Sequence, residues 1–495
     1  MLRQRTAGIL LHPTSLPGKG GIGTLGAGLR SFLEFAANSG FAWWQVLPLT
    51  PPAAGNSPYS AYSAFAGNHL LIDLEQLVKA GDLTRKQIAK TDFPDERVDY
   101  EQLIPWKEDL LRKAAEKFFN TNNPERIAEF WQFCDNTYWL HDYALFRALK
   151  KQYNNKVWTS WPTEIAKRDV VTLELASKEL GTEIGIEKYQ QWQFFKQWQQ
   201  VRGWAKELGI GIIGDLPIFI SHDSADVWCN QDQFILDESG KPLVVAGVPP
   251  DYFSPTGQLW GNPLYNWQLM EQRGFDWWLA RIRKMFLMYD LVRIDHFRGF
   301  VAAWQVDAKE LTAKNGRWEA GPGHRFFEAV RRSLGKLPFI AEDLGIITPE
   351  VEALRADFGM PGMKILQFAF DSDANNPYLP HNHYRNTVVY TGTHDNDTSQ
   401  GWLDTLDKQM QQKTGKYFGK KSFTVEDMVR TALMSVADTA ILPFQDLFGL
   451  PTAARMNKPG VALGNWEWRF SASLPLKRKA TALREELARY RRIVL

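Results

Sequence analysis

The sequence predicts an α/β protein folded as a (β/α)8 TIM barrel, and three observations support this prediction. Short apolar runs rich in β-branched residues predict eight strands, at residues 7–12, 43–49, 209–219, 291–296, 338–343, 364–370, 388–394 and 440–444. Runs with helical periodicity separate most of them, at residues 194–208, 275–288, 324–334, 349–358 and 425–437. The strands are continuously apolar, as strands buried on both faces are. Eight alternating strand–helix units favour a closed barrel over an open sheet.

The spacing of the predicted strands is uneven and indicates two insertions. Residues 50–195, between strands two and three, are rich in charge and helix formers and predict an inserted helical subdomain. Residues 221–273, between strands three and four, are rich in Gly, Pro, Asn and aromatics and predict an inserted active-site loop region. Both would lie at the C-terminal mouth of a single catalytic barrel over residues 1–495. After strand eight we expect one basic, solvent-facing helix at 476–492 and no C-terminal β-domain.

The composition excludes several classes of function. A formal net charge of +2 provides no field that would attract nucleic acid or an anionic membrane. Two cysteines, Cys134 and Cys229, cannot build a disulfide framework or a four-cysteine zinc site, and they suit a cytoplasmic protein. No apolar run is long enough to predict a signal peptide or a membrane-spanning helix. The 20 tryptophans exceed what a core needs, so we expect some of them to line a ligand groove.

Strand four carries the first candidate catalytic residue. Arg293 and Asp295 lie two residues apart and therefore face the same side of the strand. Asp295 ends the strand, at the position where barrel enzymes place catalytic groups. A cation at this distance favours an ionised aspartate, which suits a nucleophile. A structural Arg–Asp pair is an equally good interpretation of this motif alone.

Other strands also end in carboxylates. Glu342 and Asp343 close strand five, Asp215 lies at the end of strand three, and Asp395 follows strand seven. Several acids around one barrel axis repel each other, which raises at least one pKa. A protonated acid beside an ionised carboxylate is what the hydrolysis or transfer of glycosides requires.

A metal site is the rival use of these acids. Asp295, His296, Glu342, His394 and Asp395 include residue types that bind zinc or manganese. The H-x-H run at 381–383 has the spacing of some barrel metallohydrolases, but it lies in a loop before strand seven, on the wrong side of the strand. We therefore expect a solvated loop there and no catalytic metal.

A dinucleotide site is the second rival. Residues 21–26 read GIGTLG, follow a strand and precede a helical run. The glycines begin nine residues after His12, too far for the tight turn of a dinucleotide-binding fold. Strand two carries no acid for a ribose hydroxyl, so we expect a flexible glycine loop and no cofactor.

Two loops combine aromatic and turn residues. They are residues 247–265 and, on a smaller scale, residues 55–60. Exposed aromatics beside carboxylates suit stacking on sugar rings, although local packing of each loop on itself is the alternative.

These motifs together resemble one known family closely. The matching runs are HPTSLP at 12–17, SPYS at 57–60, GDLP at 214–217, the loop 247–265, RIDHFRG at 293–299, AEDLG at 341–345, GTHDN at 392–396, RMN at 455–457 and NWEWR at 465–469. In this order they are similar to the 4-alpha-glucanotransferases, called amylomaltases or disproportionating enzymes. Members of this family lack a C-terminal β-domain and require no metal.

The resemblance implies a role for each matching residue. Asp295 would be the nucleophile, Glu342 the general acid/base, and Asp395 the stabiliser that orients and strains the ring at the bond being cut. Asp215, Arg293 and His394 would bind the same sugar. Ser57, Tyr59, Gln258 and Trp260 would shape the acceptor side, and Asn465 would also bind substrate.

The implied activity is retaining transglycosylation. Segments of α-1,4-glucan, from maltooligosaccharides, starch or glycogen, would move to the 4-hydroxyl of another glucan or of glucose, through a covalent glycosyl-aspartate. Three alternatives stay open at this point: an α-1,4-glucan hydrolase with the same carboxylates, a starch-binding protein without catalysis, and a metallohydrolase. Oligomeric state is not determined by the sequence.

Overall fold

A computed structural model describes residues 4–89, 92–121, 123–250, 254–461 and 463–493. Its strands are, in chain order, β1 (Thr6–Leu10), β2 (Trp43–Gln45), β3 (Gly211–Pro217), β4 (Val244–Val248), β5 (Gln258–Pro263), β6 (Leu291–Asp295), β7 (Ala302–Asp307), β8 (Gly316–Ala320), β9 (Phe339–Ala341), β10 (Gly362–Ile365), β11 (Thr387–Tyr390) and β12 (Thr439–Pro443). Within these ranges, none of the helices combines the length and apolar character that crossing a bilayer requires.

Eight of these strands form the barrel. They pair in parallel, in the order β10-β11-β12-β1-β2-β3-β6-β9. The N–H of Ala341 in β9 donates to the carbonyl of Pro361, just before β10, at 2.9 Å, which links the two ends of the sheet. The predicted (β/α)8 barrel is confirmed.

One predicted strand is displaced. We expected strand six at 364–370, but β10 spans Gly362–Ile365 and a 3-10 turn follows at Leu366–Phe368. Leu366 is buried in this turn. Periodicity cannot separate a buried strand from a buried turn, because both are apolar.

Helices surround and extend the barrel. They are α1 (Ala27–Ser39), α2 (Leu74–Lys79), α3 (Tyr100–Asn120), α4 (Pro124–Asp135), α5 (Leu140–Gln152), α6 (Thr163–Ala166), α7 (Val170–Glu179), α8 (Gly181–Glu207), α9 (Ala225–Cys229), α10 (Trp267–Gln272), α11 (Asp276–Met288), α12 (Gly323–Leu334), α13 (Pro349–Asp357), α14 (Ser399–Thr405), α15 (Lys408–Tyr417), α16 (Val425–Met434), α17 (Phe444–Leu447) and α18 (Leu476–Arg489). Helices α2 to α7 fall within residues 50–195, and the division of the chain at those residues stays a prediction.

The second predicted insertion contains β-structure as well as loop. Strands β4 and β5 lie within 221–273 and pair with β7 and β8 in an antiparallel sheet of order β5-β4-β7-β8. The sequence did not predict this sheet, because half of it comes from residues beyond the fourth barrel strand. Strands β4 and β5 come after barrel strand β3 in the chain, and β7 and β8 come after β6. The sheet therefore lies at the C-terminal end of these barrel strands, which is the mouth of the barrel.

Tryptophans fill much of the core, and several of their N–H groups donate to backbone carbonyls. Trp44 is fully buried and donates to the carbonyl of Leu11 at 2.8 Å. Trp158 is also buried and donates to the carbonyl of His222 at 2.8 Å. Such a partner offsets the cost of removing the indole N–H from water. Core filling therefore accounts for a large share of the tryptophans.

The glycine loop at 21–26 is closely packed. A Cβ on Gly23 would lie 1.9 Å from the carbonyl oxygen of Pro13, and a Cβ on Gly26 would lie 2.1 Å from Asp73 Oδ2. Gly26 also precedes the first residue of α1. These glycines allow close approach of backbone and side chains, which is an ordinary structural use of the residue.

The C-terminal basic segment does not face solvent throughout. Helix α18 ends at Arg489, and Arg492 beyond it is completely buried. Its guanidinium donates to carbonyls of Leu433, Ala432 and Ser435 at 2.7, 3.3 and 3.0 Å. These carbonyls lie at the C-terminal end of α16, where helices leave acceptors unpaired. The expectation of a solvent-facing segment is therefore wrong at Arg492.

Replacing this arginine should destabilise the protein strongly. We expect Arg492→Met to lower the free energy of unfolding by about 3 kcal/mol, because buried carbonyls at the end of α16 lose their donor. Arg484→Met, at an exposed position of α18, is the matched control and should change stability by less than about 0.5 kcal/mol. Thermal and denaturant unfolding measure both. Equal stability of the two variants would contradict this role of Arg492.

Candidate active site

The register of neighbouring strands brings the predicted acids together. Asp215 in β3 lies opposite Arg293 in β6, and Ile294 in β6 lies opposite Ala341 in β9. Asp295 and Glu342 are the next residues along β6 and β9. The N–H of Glu342 donates to the carbonyl of Ile294 at 3.0 Å, so the pairing continues to this point. Adjacent strands are about 4.8 Å apart, so the carboxyl groups of Asp295 and Glu342 lie side by side at the mouth of the barrel.

Arg293 joins the acids of two strands. Its guanidinium is buried, and Nη1 donates to both oxygens of Asp215 at 2.8 and 2.7 Å. Its Nη2 lies 2.9 Å from Asp295 Oδ1. Burial lowers the pKa of Arg293, but the charges of Asp215 and Asp295 raise it well above its ordinary value overall. The structural Arg–Asp pair and the candidate nucleophile are thus parts of one arrangement.

The carboxyl pair at the mouth holds its protons strongly. Burial raises the pKa of Asp295 to about 8; Arg293 opposes this rise, and the charges of Asp215, Glu342 and Asp395 add to it. Burial also raises the pKa of Glu342, against the opposing effect of Arg293. Two neighbouring carboxyls with raised pKa values share one proton near neutral pH.

Glu342 is oriented by backbone donors. The N–H of His296 donates to its Oε2 at 2.6 Å, and the N–H of Leu344 donates to its Oε1 at 3.1 Å. His296 adopts a left-handed conformation with φ of 50°, which is uncommon for a residue with a side chain. The turn after Asp295 thereby directs its N–H group at Glu342. The sequence suggested His296 only as a metal-ligand type and missed this contact.

The neighbouring acid, Asp343, points away from the site. Its Oδ2 lies 3.3 Å from Arg355 Nε in α13, and its Oδ1 accepts from the N–H of Met363 at 2.6 Å. Of the two adjacent acids that end β9, Glu342 therefore faces the mouth and Asp343 supports the outer layer.

Tyr59 and His394 form a stacked wall beside Asp215. The Tyr59 hydroxyl donates to Asp215 Oδ2 at 2.7 Å, and its ring stacks on His394 with centroids 5.1 Å apart. Burial raises the pKa of Tyr59 well above its ordinary value, so the hydroxyl stays a donor. Burial lowers the pKa of His394, which keeps the imidazole neutral near pH 7. Trp466 continues the wall, with its ring centroid 5.9 Å from each of the other two.

Asp395 lies on a loop after β11 and is held by the chain after β12. Asn457 Nδ2 donates to Asp395 Oδ1 at 2.6 Å, and Arg455 Nη2 donates to the carbonyl of Asp395 at 2.6 Å. His394 Nε2 lies 3.4 Å from the same carboxyl oxygen. The sequence missed the contacts of Arg455 and Asn457, although the RMN run that contains them was one signal of the resemblance.

Gln258 and Trp260 lie on β5, next to the turn after Asp295. Trp260 Nε1 donates to Gln258 Oε1 at 3.1 Å, and its ring meets the His296 ring edge-on, with centroids 4.9 Å apart. Trp260 remains 38% exposed, so part of an aromatic face is free to stack on a ligand. Residues 251–253 of the predicted loop lie outside the described residues.

Ser57 and Asn465 lie in supporting turns. Ser57 Oγ accepts from the N–H of Tyr59 at 3.3 Å. Asn465 Oδ1 accepts from the N–H of Lys458 at 2.8 Å, and its Nδ2 donates to the carbonyl of Val461 at 2.7 Å. These contacts hold the backbone beside the site. Direct binding of substrate by either residue stays a prediction.

The H-x-H run makes ordinary hydrogen bonds. His381 Nδ1 lies 2.8 Å from the Tyr417 hydroxyl, and His383 Nδ1 lies 2.8 Å from Ser435 Oγ. The other nitrogen of each ring contacts a backbone carbonyl, at 3.0 and 2.9 Å. Across the described ranges there is no group of three or more His, Cys, Asp or Glu that could hold a metal ion.

Comparison with known proteins agrees with this geometry. A family model described as 4-alpha-glucanotransferase matches residues 11–475. The 4-alpha-glucanotransferase of Thermus thermophilus is 48% identical over 475 residues, covering 94% of each chain. That of Synechocystis sp. is 48% identical over 477 residues, covering 95% of this chain and 94% of the relative. The chloroplastic/amyloplastic enzyme of Solanum tuberosum is 45% identical over 501 residues, covering 99% of this chain and 87% of the relative.

Solved structures show the same likeness. The amylomaltase from Streptococcus agalactiae in complex with acarbose superposes with a TM-score of 0.96 at 38% identity, covering 99% of this chain and 100% of that one. The amylomaltase from Corynebacterium glutamicum has a TM-score of 0.79 at 16% identity, covering 99% of this chain and 75% of that one, and it shares the fold. Sequence, fold and arrangement of acids together establish that this chain belongs to glycoside hydrolase family 77, the 4-alpha-glucanotransferases, which transfer α-1,4-glucan segments.

Proposed function

We propose that this chain transfers α-1,4-glucan segments by retaining double displacement, with Asp295 as nucleophile and Glu342 as general acid/base. One observation supports this most directly: Asp295 and Glu342 end adjacent paired strands, and both have raised pKa values. Retaining glycosidases use two carboxyl groups roughly 5–5.5 Å apart, one as nucleophile and one as proton donor.

We assign the negative charge of the pair to Asp295 and the proton to Glu342. Arg293 Nη2 contacts Asp295 directly at 2.9 Å, and this cation favours the carboxylate form of Asp295. A carboxyl whose pKa is raised by burial, such as Glu342, is suited to donate a proton near neutral pH.

In the first step the donor glucan binds with its scissile bond between the two groups. Glu342 transfers its proton to the glycosidic oxygen while an Asp295 oxygen attacks the anomeric carbon. The bond between that carbon and the glycosidic oxygen breaks, and the reducing-end fragment leaves with the proton. A β-linked glycosyl-Asp295 ester and an ionised Glu342 remain.

In the second step an acceptor replaces the fragment that left. Glu342 takes the proton from the acceptor 4-hydroxyl, the oxygen attacks the anomeric carbon, and Asp295 is released as a carboxylate. The new bond has the α configuration of the original. Water is the competing acceptor, and the aromatic cover from Trp260 favours a bound sugar by stacking and by restricting solvent.

The remaining predicted residues are assigned to sugar binding. Asp215, Arg293 and His394 would bind the sugar attacked by Asp295, and Asp395 would orient and strain it. Tyr59, Ser57, Gln258 and Trp260 would shape the acceptor side, with Asn465 as a further contact. The relative from Streptococcus agalactiae was solved with acarbose. A sugar-shaped ligand of this kind is therefore a suitable probe.

The proposed partners are α-1,4-glucans, among them maltooligosaccharides, starch and glycogen, together with glucose. The proposed chemistry uses side chains alone and no cofactor. We propose a cytoplasmic location, which suits the free cysteines Cys134 and Cys229. The plant relative from Solanum tuberosum is named chloroplastic/amyloplastic, so location varies among relatives.

Maltotriose distinguishes transfer from hydrolysis. With purified protein we expect glucose to appear together with maltopentaose and longer oligomers, because each cut is matched by a new bond. The total of reducing ends should stay constant within about a tenth while the product ladder grows. Chromatography of the products and a reducing-end assay measure both quantities. A steady rise in reducing ends without longer oligomers would identify a hydrolase instead.

Removal of the nucleophile should abolish transfer and leave binding. We expect Asp295→Asn to lower kcat by about four orders of magnitude, because the amide cannot form the glycosyl ester. Binding of acarbose, measured by calorimetry, should change by less than about tenfold. Asp135→Asn, at an exposed position at the end of α4, is the matched control and should keep parental activity. A starch-binding protein without catalysis would show no difference between the two variants.

The same substitution should stabilise the fold at alkaline pH. Burial raises the pKa of Asp295, to about 8, and also the pKa of Glu342, so the folded pair shares a proton that both carboxyls release in the unfolded chain. Between about pH 4 and about pH 8 the folded state therefore binds more protons than the unfolded chain, and stability falls as pH rises through this window. Asn in place of Asp295 removes one of the two carboxyls and with it their mutual repulsion. We expect Asp295→Asn to melt at a higher temperature than the parent at about pH 8, with the difference shrinking towards about pH 4.

Melting curves between these two pH values measure the effect. Asp135→Asn is again the control, and its difference from the parent should not vary with pH over this range. A stability difference for Asp295→Asn that is independent of pH would show that the fold does not hold a proton on the Asp295–Glu342 pair.

A further inference from the structure

We propose that Asn457 is a positioning residue for Asp395, holding its carboxylate in the orientation that the transferred sugar requires. This inference rests on the proposed function, since it concerns the residue assigned to orient that sugar. Neither the comparisons nor the resemblance gives Asn457 a role.

The loop that carries Asp395 is fixed at its two ends. Asp446 in α17 accepts from Thr391 Oγ1 at 2.5 Å, from the N–H of Ser399 at 2.7 Å and from Ser399 Oγ at 2.6 Å. Inside the loop, Asn396 Oδ1 accepts from the N–H and the hydroxyl of Thr393, at 2.9 Å each. These bonds define the path of the backbone. None of them involves the side chain of Asp395.

The segment after β12 contacts Asp395 itself. Asn457 Nδ2 donates to Asp395 Oδ1 at 2.6 Å, and the N–H of Asn457 donates to the carbonyl of His394 at 3.1 Å. Arg455 Nη2 donates to the carbonyl of Asp395 at 2.6 Å, and Arg455 Nε donates to the carbonyl of Asn457 at 2.7 Å. Arg455 therefore binds the backbone of the loop, and Asn457 binds the Asp395 carboxylate. The two residues are also hydrogen-bonded to each other, so they act together.

The Asp395 side chain needs such a partner because 46% of it is exposed. An exposed aspartate rotates freely between rotamers. With Oδ1 bound by Asn457 and lying 3.4 Å from His394 Nε2, the rotation is stopped, and Oδ2 is left to accept from a sugar hydroxyl. A neutral amide also orients the carboxylate without cancelling its charge. Side chains preorganised in this way raise kcat more than they strengthen ground-state binding.

Two variants of Asn457 test this role. Asn457→Ala should lower kcat for maltotriose transfer by about 10- to 100-fold and change KM by less than about threefold. Asn457→Asp should lose at least as much activity at pH 7.5, because two carboxylates at hydrogen-bond distance repel each other. On acidification the pair shares a proton and the hydrogen bond returns. The activity of Asn457→Asp relative to Asn457→Ala should therefore rise by about tenfold between pH 7.5 and about pH 5.

A residue needed only for folding would not produce this acid recovery. If the activity ratio of the two variants stays constant with pH, or if both keep parental kcat, the inference is overturned. Asn315→Ala, at an exposed position between β7 and β8, is the control and should behave as the parent does. Should the alanine variant fail to fold, as judged from its melting curve, Asn457→Asp compared with the parent over the same pH range decides the question.

Asp395→Asn separates this inference from the proposed function. Full activity of Asp395→Asn would refute the assigned role of Asp395, and the inference with it. Loss of activity in Asp395→Asn together with parental kcat in both Asn457 variants would refute the inference alone. In the double variant, Asn457→Ala should add less than about twofold to the loss caused by Asp395→Asn, because its effect acts through that carboxylate.

Discussion

The buried guanidinium of Arg293 is the constraint on which the site depends. It lies 2.7 Å from Asp215 and 2.9 Å from Asp295, and it is 4% exposed. Breaking such a buried pair by removing one partner costs on the order of 3–5 kcal/mol. Strands β3 and β6 must therefore pair with Asp215 opposite Arg293. The same register determines where Asp295 lies at the mouth of the barrel. The Arg293–Asp215 ion pair therefore links the pairing of β3 and β6 to the position of the candidate nucleophile.

Burial, together with an excess of carboxyl groups over cations, raises the pKa values of Asp295 and Glu342 and so provides the acid. Arg293 makes two hydrogen bonds to Asp215 and one contact with Asp295. Burial raises the pKa of Asp295 and of Glu342 against the opposing effect of this single cation. Burial of two neighbouring carboxyl groups is costly, and the same burial makes a proton available near neutral pH.

The elements around the barrel orient the carboxyl groups of the site. The sheet that contains β5 places Trp260 against His296, whose N–H orients Glu342. The segment after β12 places Arg455 and Asn457 against Asp395. Glu342 and Asp395 are therefore held by backbone and amide donors from different parts of the chain, whereas Asp295 is contacted by Arg293. Such neutral donors orient a carboxylate while leaving its charge free to act.

The sequence by itself determined the barrel and the acids at its mouth. Apolar runs ending in carboxylates identify both, because a buried strand must be apolar and its C-terminal end must meet the others at one edge. It could not show that Arg492 is buried, that Asn465 holds its own turn, or that Asn457 binds Asp395 across 62 residues. Only the tertiary structure decided these points, because the partners of a polar side chain depend on which distant segments the fold brings within hydrogen-bond distance.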